Sequence, residues 1–180
     1  ERASSRRDGG RYYGRPEMIA EIGLAALWLA AALAVLQLSA GALSIWSGAD
    51  NDIARLTRPA AILQGGLVTI AFGALLWVFA ITDLSVKLVA MNSHTMKPLI
   101  FKLSGAWGNH EGSMLLWVTV MALAGALVAA VERRLPENTM QATLAAQGVV
   151  ALGFYAFLLF SSNPFERLTQ PAVEGLGLNP

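Results

Sequence analysis

The chain has 180 residues, of which 55% are hydrophobic and only 14% are charged. An average soluble protein carries about 25% charged residues, so the composition predicts an integral membrane protein of the all-α class. The absence of cysteine excludes disulfides, a thiol nucleophile and thiolate metal ligands. No basic block is interleaved with aromatic residues, which argues against a nucleic-acid partner.

The first segment, residues 1–17, is polar and contains five arginines. It is either a disordered tail or a non-native extension upstream of a natural start at Met18. The second interpretation is favoured, because MIAEIG leads directly into the first hydrophobic run. Residues 18–180 are then one multi-span membrane domain. It ends at Asn179-Pro180 without a terminating element, so we expect it to be truncated at the C-terminus.

Four apolar segments are long enough to cross a hydrocarbon layer of about 30 Å. They predict a polytopic helical bundle with spans at residues 22–46, 60–82, 110–131 and 142–160. Gln37 is the only strongly polar side chain in the first span, and we expect it to form an interhelical hydrogen bond. Small residues at helical spacing predict close helix packing; they are Gly65, Thr69, Gly73, Gly125 and Ala129.

The loops between the spans leave the orientation open. From Met18 onwards, the loops after spans one and three hold four arginines, and the loop after span two and the tail together hold three lysines and one arginine. Including residues 1–17 would add five arginines to the second side and make it cytoplasmic. Asp83, at the end of the second span, is interpreted as an interfacial charge.

The stretch Phe101–Trp117 is where aromatic, histidine, carboxylate and glycine residues converge. Trp107, His110 and Glu111 lie within five residues of one another. If a helix begins near His110, then His110, Met114 and Trp117 share one face. Backbone polar groups near lipid must be satisfied within the protein. We therefore expect this stretch to pack against another segment, with close backbone approach at its glycines, which are Gly105, Gly108 and Gly112.

His94 and His110 are the only histidines. Imidazole is a common axial ligand of haem iron, but two histidines sixteen residues apart without a further partner are a weak metal signal. His94 is interpreted as a hydrogen-bonded structural residue. The sequence contains no glycine-rich phosphate loop, no Ser/His/Asp set and no HExxH motif, so no catalytic residue is predicted.

Several segments, in this order and spacing, resemble the N-terminal part of the CcmF and NrfE family of cytochrome c haem lyases. They are MIAEIG, RLTRPAAILQGG, the NSH near residue 93, WGNHEGSMLLW, and SSNPFERL followed by GLGLNP. The resemblance covers about residues 18–180. Asn109 stands where we expect glycine in the family, so this turn is expected to differ slightly.

The resemblance implies a multi-pass protein of the bacterial inner membrane that takes part in cytochrome c maturation. The family receives haem from a haem chaperone and joins it to CxxCH thiols of apocytochrome c in the periplasm, together with other maturation subunits. It implies that residues 83–113 and 161–180 are periplasmic. The main haem ligands are expected outside this chain, which alone would be inactive. Trp107, His110 and Glu111 are then candidates for shaping the surface beside the haem site rather than ligands of the iron.

Two other functions remain compatible with the composition. The chain could be a small membrane transport or channel protein, although no span carries an ionisable residue in its middle, where ion pathways place one. It could also be a structural subunit of a respiratory membrane complex.

Overall fold

The computed structural model describes residues 17–47 and 52–177. The interpretations of residues 1–16 and of Asn179-Pro180 lie outside these ranges. The described chain contains one 3-10 turn, Ala54–Leu56, and six α-helices. The helices are α1 Glu17–Ser47, α2 Thr57–Ala80, α3 Lys87–Asn92, α4 Leu99–Gly105, α5 His110–Val131 and α6 Glu137–Phe160.

The four long helices, α1, α2, α5 and α6, are each long and apolar enough to span a membrane. This confirms the predicted all-α bundle with four spans, and the protein is a multi-pass membrane protein. The bounds of α5 are those predicted, whereas α1 and α6 each begin five residues earlier than expected, at Glu17 and Glu137. The extra residues are mixed at the start of α1 (EMIAE) and mostly polar at the start of α6 (ENTMQ).

The bundle packs α1 along α2 and α6, and α5 against α2 and α6. Gly65 allows the α2–α5 contact, since a Cβ there would lie 2.7 Å from the Cβ of Ala126. Gly125 makes room for the side chain of Gln147. Both confirm the predicted close packing. At Gly73 an added Cβ would meet nothing within 4 Å in the described chain, so the prediction there stays untested.

Buried amides link the spans. Gln37 is fully buried, and its Nε2 donates to the carbonyl of Leu144 at 2.5 Å and to Oε1 of Gln147 at 3.0 Å. Gln147 in turn donates to the carbonyl of Met121 at 3.0 Å. The predicted interhelical bond of Gln37 is confirmed. It is part of a chain of bonds that joins α1, α6 and α5, as polar side chains within membrane spans commonly do.

The segment predicted as a loop, residues 83–113, contains α3 and α4. Helix α3 buries Leu88, Val89 and Ala90, whereas α4 has no buried residue. With six and seven residues, these helices are too short to produce a recognisable periodicity. Both lie at the end of the bundle where α2 ends and α5 begins.

Candidate functional site

The tail end of the bundle, defined as residues 81–109 with the tail 161–177, holds two of the segments that resembled the haem lyases, NSH near residue 93 and SSNPFERL. It begins where α2 ends in a Schellman turn, with Thr82 N–H donating to the carbonyl of Phe79 and Asp83 N–H to that of Val78. Thr82 has a φ of 55° and is the only non-glycine residue with positive φ in the described ranges. This turn directs the chain from α2 into the connection to α5, residues 83–109, which we call loop two.

The tail returns across this end and pairs with residues 84–87. Lys87 N–H donates to the carbonyl of Glu166 at 2.8 Å, and Leu168 N–H donates to that of Ser85 at 2.9 Å. An ion pair of 2.9 Å between Lys87 Nζ and Glu166 Oε2 lies beside these bonds. The backbone bonds fix the register in which the SSNPFERL segment crosses loop two.

Phe165 anchors the tail in the bundle. Its side chain is only 3% exposed and occupies the space beside Gly23, where an added Cβ would lie 2.4 Å from the phenylalanine Cζ. The same Cβ would lie 3.0 Å from Ala74. Gly23 is in MIAEIG and Phe165 is in SSNPFERL, so these two segments are complementary parts of one contact.

A charge cluster lies next to this anchor. Arg167 makes a bidentate pair with Glu21, at 2.7 and 2.9 Å, and donates to the hydroxyl of Ser85. Its guanidinium also lies 3.9 Å from Oδ2 of Asp83. The Asp83 side chain is 8% exposed, and its Oδ1 accepts from the N–H and the hydroxyl of Ser85. Asp83 is therefore a buried partner in a network, a more specific role than the interfacial charge predicted.

A second anchor lies further along the tail. Leu176 N–H donates to the carbonyl of Ala90 at 2.7 Å, and Gly177 N–H to that of Ser93 at 3.1 Å. An added Cβ at Gly175 would lie 2.0 Å from the Ser93 carbonyl oxygen, so only glycine allows this approach. The hydroxyl of Thr95 and backbone N–H groups donate to Glu174 and, with the nearby His94, lower the pKa of this carboxyl to about 2.

The three predicted site residues lie where loop two leads into α5, with Trp107 before the helix and the other two in its first turn. His110 is the first residue of α5, as predicted, and its ring stands edge-on to Phe157 of α6 with centroids 5.3 Å apart. Trp107 is 43% exposed, and Glu111 lies in the first turn of α5, where a carboxylate is favoured by the helix dipole. Of these three residues in the described chain, His110 is the one with a ring contact.

The turn is built by Asn109 and Gly112. Asn109 is the N-cap of α5, with its side chain accepting from Gly112 N–H at 2.7 Å and donating to the carbonyl of Gly105 at 2.7 Å. Its backbone is extended, with φ −124°, so glycine is not required there. An added Cβ at Gly112 would lie 1.6 Å from the carbonyl oxygen of Ala106, which confirms the predicted close approach.

An open cavity of about 680 Å³ lies beside α4. Its lining includes Met96, Lys97, Phe101 and Gly108 but neither histidine. Haem iron is usually held by an axial histidine, thiolate, methionine or tyrosine. His94 accepts at Nδ1 from Met96 N–H, 3.1 Å away, and His110 packs on Phe157. Of the residues that line this cavity, Met96 is the one of a type that ligates haem iron, and neither histidine is among them.

The Glu21–Arg167–Asp83 cluster was not predicted. Glu21 and Arg167 are 146 positions apart, and no local periodicity links residues at that separation. The only available signal was that both lie in segments resembling the same family.

No family model matches the chain. Over 166 residues it is 46% identical to the cytochrome c-type biogenesis protein ccl1 of Rhodobacter capsulatus, covering 91% of this chain and 25% of that protein. It is 42% identical over 164 residues to the cytochrome c-type biogenesis protein CcmF of Pseudomonas aeruginosa, with 91% and 25% covered. The solved structure of the cytochrome c haem lyase CcmF matches with a TM-score of 0.76 and 26% identity, over 94% of this chain and 27% of that one.

The chain thus spans about a quarter of the length of these proteins. These identities and the shared fold show that the chain belongs to the CcmF and NrfE family of cytochrome c-type biogenesis proteins and corresponds to their N-terminal portion.

Proposed function

We propose that the chain is the N-terminal part of a haem lyase that attaches haem to the CxxCH thiols of apocytochrome c. The observation that carries this proposal is the 46% identity to a cytochrome c-type biogenesis protein over 91% of the chain, supported by the fold shared with a solved haem lyase. Neither observation favours a transport protein or a respiratory structural subunit.

Within such an enzyme, this segment is a membrane scaffold with a rigid surface at its tail end. The rigidity comes from Phe165, Arg167 and Gly175, which fasten the tail to α1, α2 and loop two. The surface next to it carries Trp107, His110 and Glu111, which shape the wall beside the haem site. An exposed indole offers apolar area, and an imidazole offers a hydrogen-bond donor, both suited to a flat apolar group with carboxylate substituents. The iron ligands lie in other parts of the full-length protein.

His110 provides the test of this surface. In the full-length protein, we expect His110→Ala to lower the amount of covalently bound haem in c-type cytochromes while the variant still accumulates in the membrane. Trp117→Leu is the matched control, because Trp117 follows on the same helix and is 65% exposed. Wild-type cytochrome c levels in His110→Ala would contradict a role for this residue at the haem site. If deleting the whole gene also left those levels unchanged, the proposed function itself would be wrong.

We further propose that the protein resides in the bacterial inner membrane, with residues 83–113 and 161–180 in the periplasm. Single cysteines can test this, because the chain has none of its own. Val173 is 100% exposed in the tail, and Arg134 is exposed at the opposite end. A membrane-impermeant maleimide applied to spheroplasts should label Val173→Cys and leave Arg134→Cys unlabelled. The reverse pattern would invert the topology.

The partners proposed for the full-length protein are a haem chaperone, apocytochrome c and other maturation subunits. The tail end is the face they would approach. Photo-crosslinking from an amino-acid analogue placed at Trp107, with the same analogue at Leu135 of the opposite end as control, should capture the haem chaperone only from Trp107. Capture from both positions, or from Leu135 alone, would contradict this assignment of the face.

A further inference from the structure

The opposite end of the bundle contains an open groove between the first turns of α2 and the last turn of α5. Its volume is about 890 Å³. Arg55, Arg58 and Arg133 form its rim, and Ile62, Leu63 and Ala130 form its wall. We call it the arginine groove. Because α2 and α5 are both candidate spans, its wall lies where the spans enter the apolar layer and its rim lies outside.

The three arginines of the rim have different roles. Arg58 is committed to the fold, since its guanidinium donates to the carbonyls of Ala129 and Glu132 at 3.0 and 2.9 Å. It also makes a bidentate pair with Glu137 at 3.1 and 3.2 Å. These bonds hold the end of α5 against the start of α6, so the Arg58 guanidinium is already occupied within the fold.

Arg55 and Arg133 supply the available positive charge. Arg55 pairs with Asp52, but the two side chains are 72% and 92% exposed. Ion pairs this exposed contribute little to stability. Arg133 is exposed and has no ion pair with an acidic side chain of residues 17–47 and 52–177. The nearby carboxylate of Glu132 accepts from Arg134 N–H at 2.6 Å. The rim therefore presents two guanidinium groups to an anion.

The wall is apolar and faces away from the bundle. Ile62 is 42% exposed and Leu63 is 59% exposed, and the small side chain of Ala130 leaves the space between the helices open. An anionic group joined to a long apolar chain would match this arrangement of rim and wall. Basic pockets between spans bind anionic lipid head groups, and guanidinium groups bind phosphate oxygens in bidentate geometry.

We propose that the arginine groove binds an anionic phospholipid, with its phosphate between Arg55 and Arg133 and an acyl chain along Ile62 and Leu63. The proposal is independent of haem attachment, since its readout is bound lipid rather than cytochrome c.

Native mass spectrometry of the full-length protein, exchanged into micelles with phosphatidylglycerol or phosphatidylethanolamine, tests the proposal. We expect retained phosphatidylglycerol and little phosphatidylethanolamine. Arg55→Gln with Arg133→Gln should lower phosphatidylglycerol retention roughly tenfold or more, because both direct guanidinium–phosphate contacts in the groove are lost. Arg134→Gln is the matched control: it removes the same charge from the neighbouring position, outside the groove, and should leave retention unchanged.

A second variant separates a lipid from a free phosphate. Ala130→Phe fills the wall at an exposed position without changing the rim, so it should lower lipid retention and leave the binding of inorganic phosphate unaffected. Displacement of the lipid by millimolar inorganic phosphate, with no effect of Ala130→Phe, would overturn the proposal in favour of a phosphate site. An equal loss of lipid retention in Arg134→Gln would also overturn the proposal. So would the absence of retained lipid in the full-length protein, where another protein segment would then occupy the groove.

Discussion

The two ends of the bundle use their cations in opposite ways. At the tail end, Arg167 is 26% exposed and is held by Glu21, with the buried Asp83 close by. At the arginine end, Arg55 and Arg133 stay on the surface, and only Arg58 is built into the fold. A buried carboxylate such as Asp83 is costly without a counter-charge, which fixes the cation beside it. A cation at the rim of an exposed groove is available to a ligand. The tail end is therefore fixed by paired charges, whereas the arginine end keeps two cations exposed at the surface.

Phe165→Ala is expected to give the largest effect on this difference. Removing a buried phenyl ring costs about 3–5 kcal/mol, and here it would release the tail from Gly23 and Ala74. Thermal unfolding of the full-length protein in detergent measures the loss, and hydrogen exchange of residues 161–177 locates it. Phe160→Ala is the matched control, because Phe160 is 77% exposed and its truncation should cost much less. Equal losses for both variants would contradict the role of Phe165 as the anchor of the tail.

Arg167→Gln should have the next largest effect, about 2 kcal/mol, because it leaves the Asp83 carboxylate without a counter-charge. The value is below that of a fully buried pair, since the Glu21 side chain is 57% exposed. Adding Asp83→Asn should restore part of the stability, and a double-mutant cycle would measure the coupling. Arg133→Gln at the open end should change stability little. If it were as costly as Arg167→Gln, the contrast between the ends would be wrong.

Much of the fold was predictable from the sequence, because four uninterrupted apolar runs leave few alternatives in a membrane. The start of α5 at His110 followed from the change from a glycine-rich polar stretch to an apolar one, and the bond of Gln37 followed from its isolation among apolar neighbours. Contacts between distant segments were not predictable. Nothing local in the sequence shows that Glu21 meets Arg167, that His110 meets Phe157, or that Gly73 faces outward while Gly65 faces α5.

Arg58→Gln tests the fixed part of the open end. The change removes charge-assisted bonds to two helix-terminal carbonyls and to Glu137, and we expect a loss of about 1–2 kcal/mol. The partial exposure of the pair, 26% for Arg58 and 48% for Glu137, keeps the value modest. Arg55→Gln, three residues earlier, is the control and should be nearly neutral. A neutral Arg58→Gln would mean that the last turn of α5 is held by packing alone.

The smallest effect is expected at Glu174, whose pKa is lowered from the ordinary value of 4.5 to about 2, first by the Thr95 hydroxyl and then by the Gly175 N–H. Since the pKa in the native state lies below that in the unfolded chain, the stabilisation is complete above about pH 4.5 and is lost as the pH falls towards 2. The exposure of the carboxylate limits the size of this stabilisation.

A spin label at Val173 should become more mobile as the pH falls across this range in the wild type. In Glu174→Gln the label should be mobile already at pH 7, where the carboxylate is ionised in the wild type, and should change less with pH. Identical pH curves for both proteins would show that the second anchor depends on the backbone bonds of Leu176 and Gly177 rather than on this carboxylate.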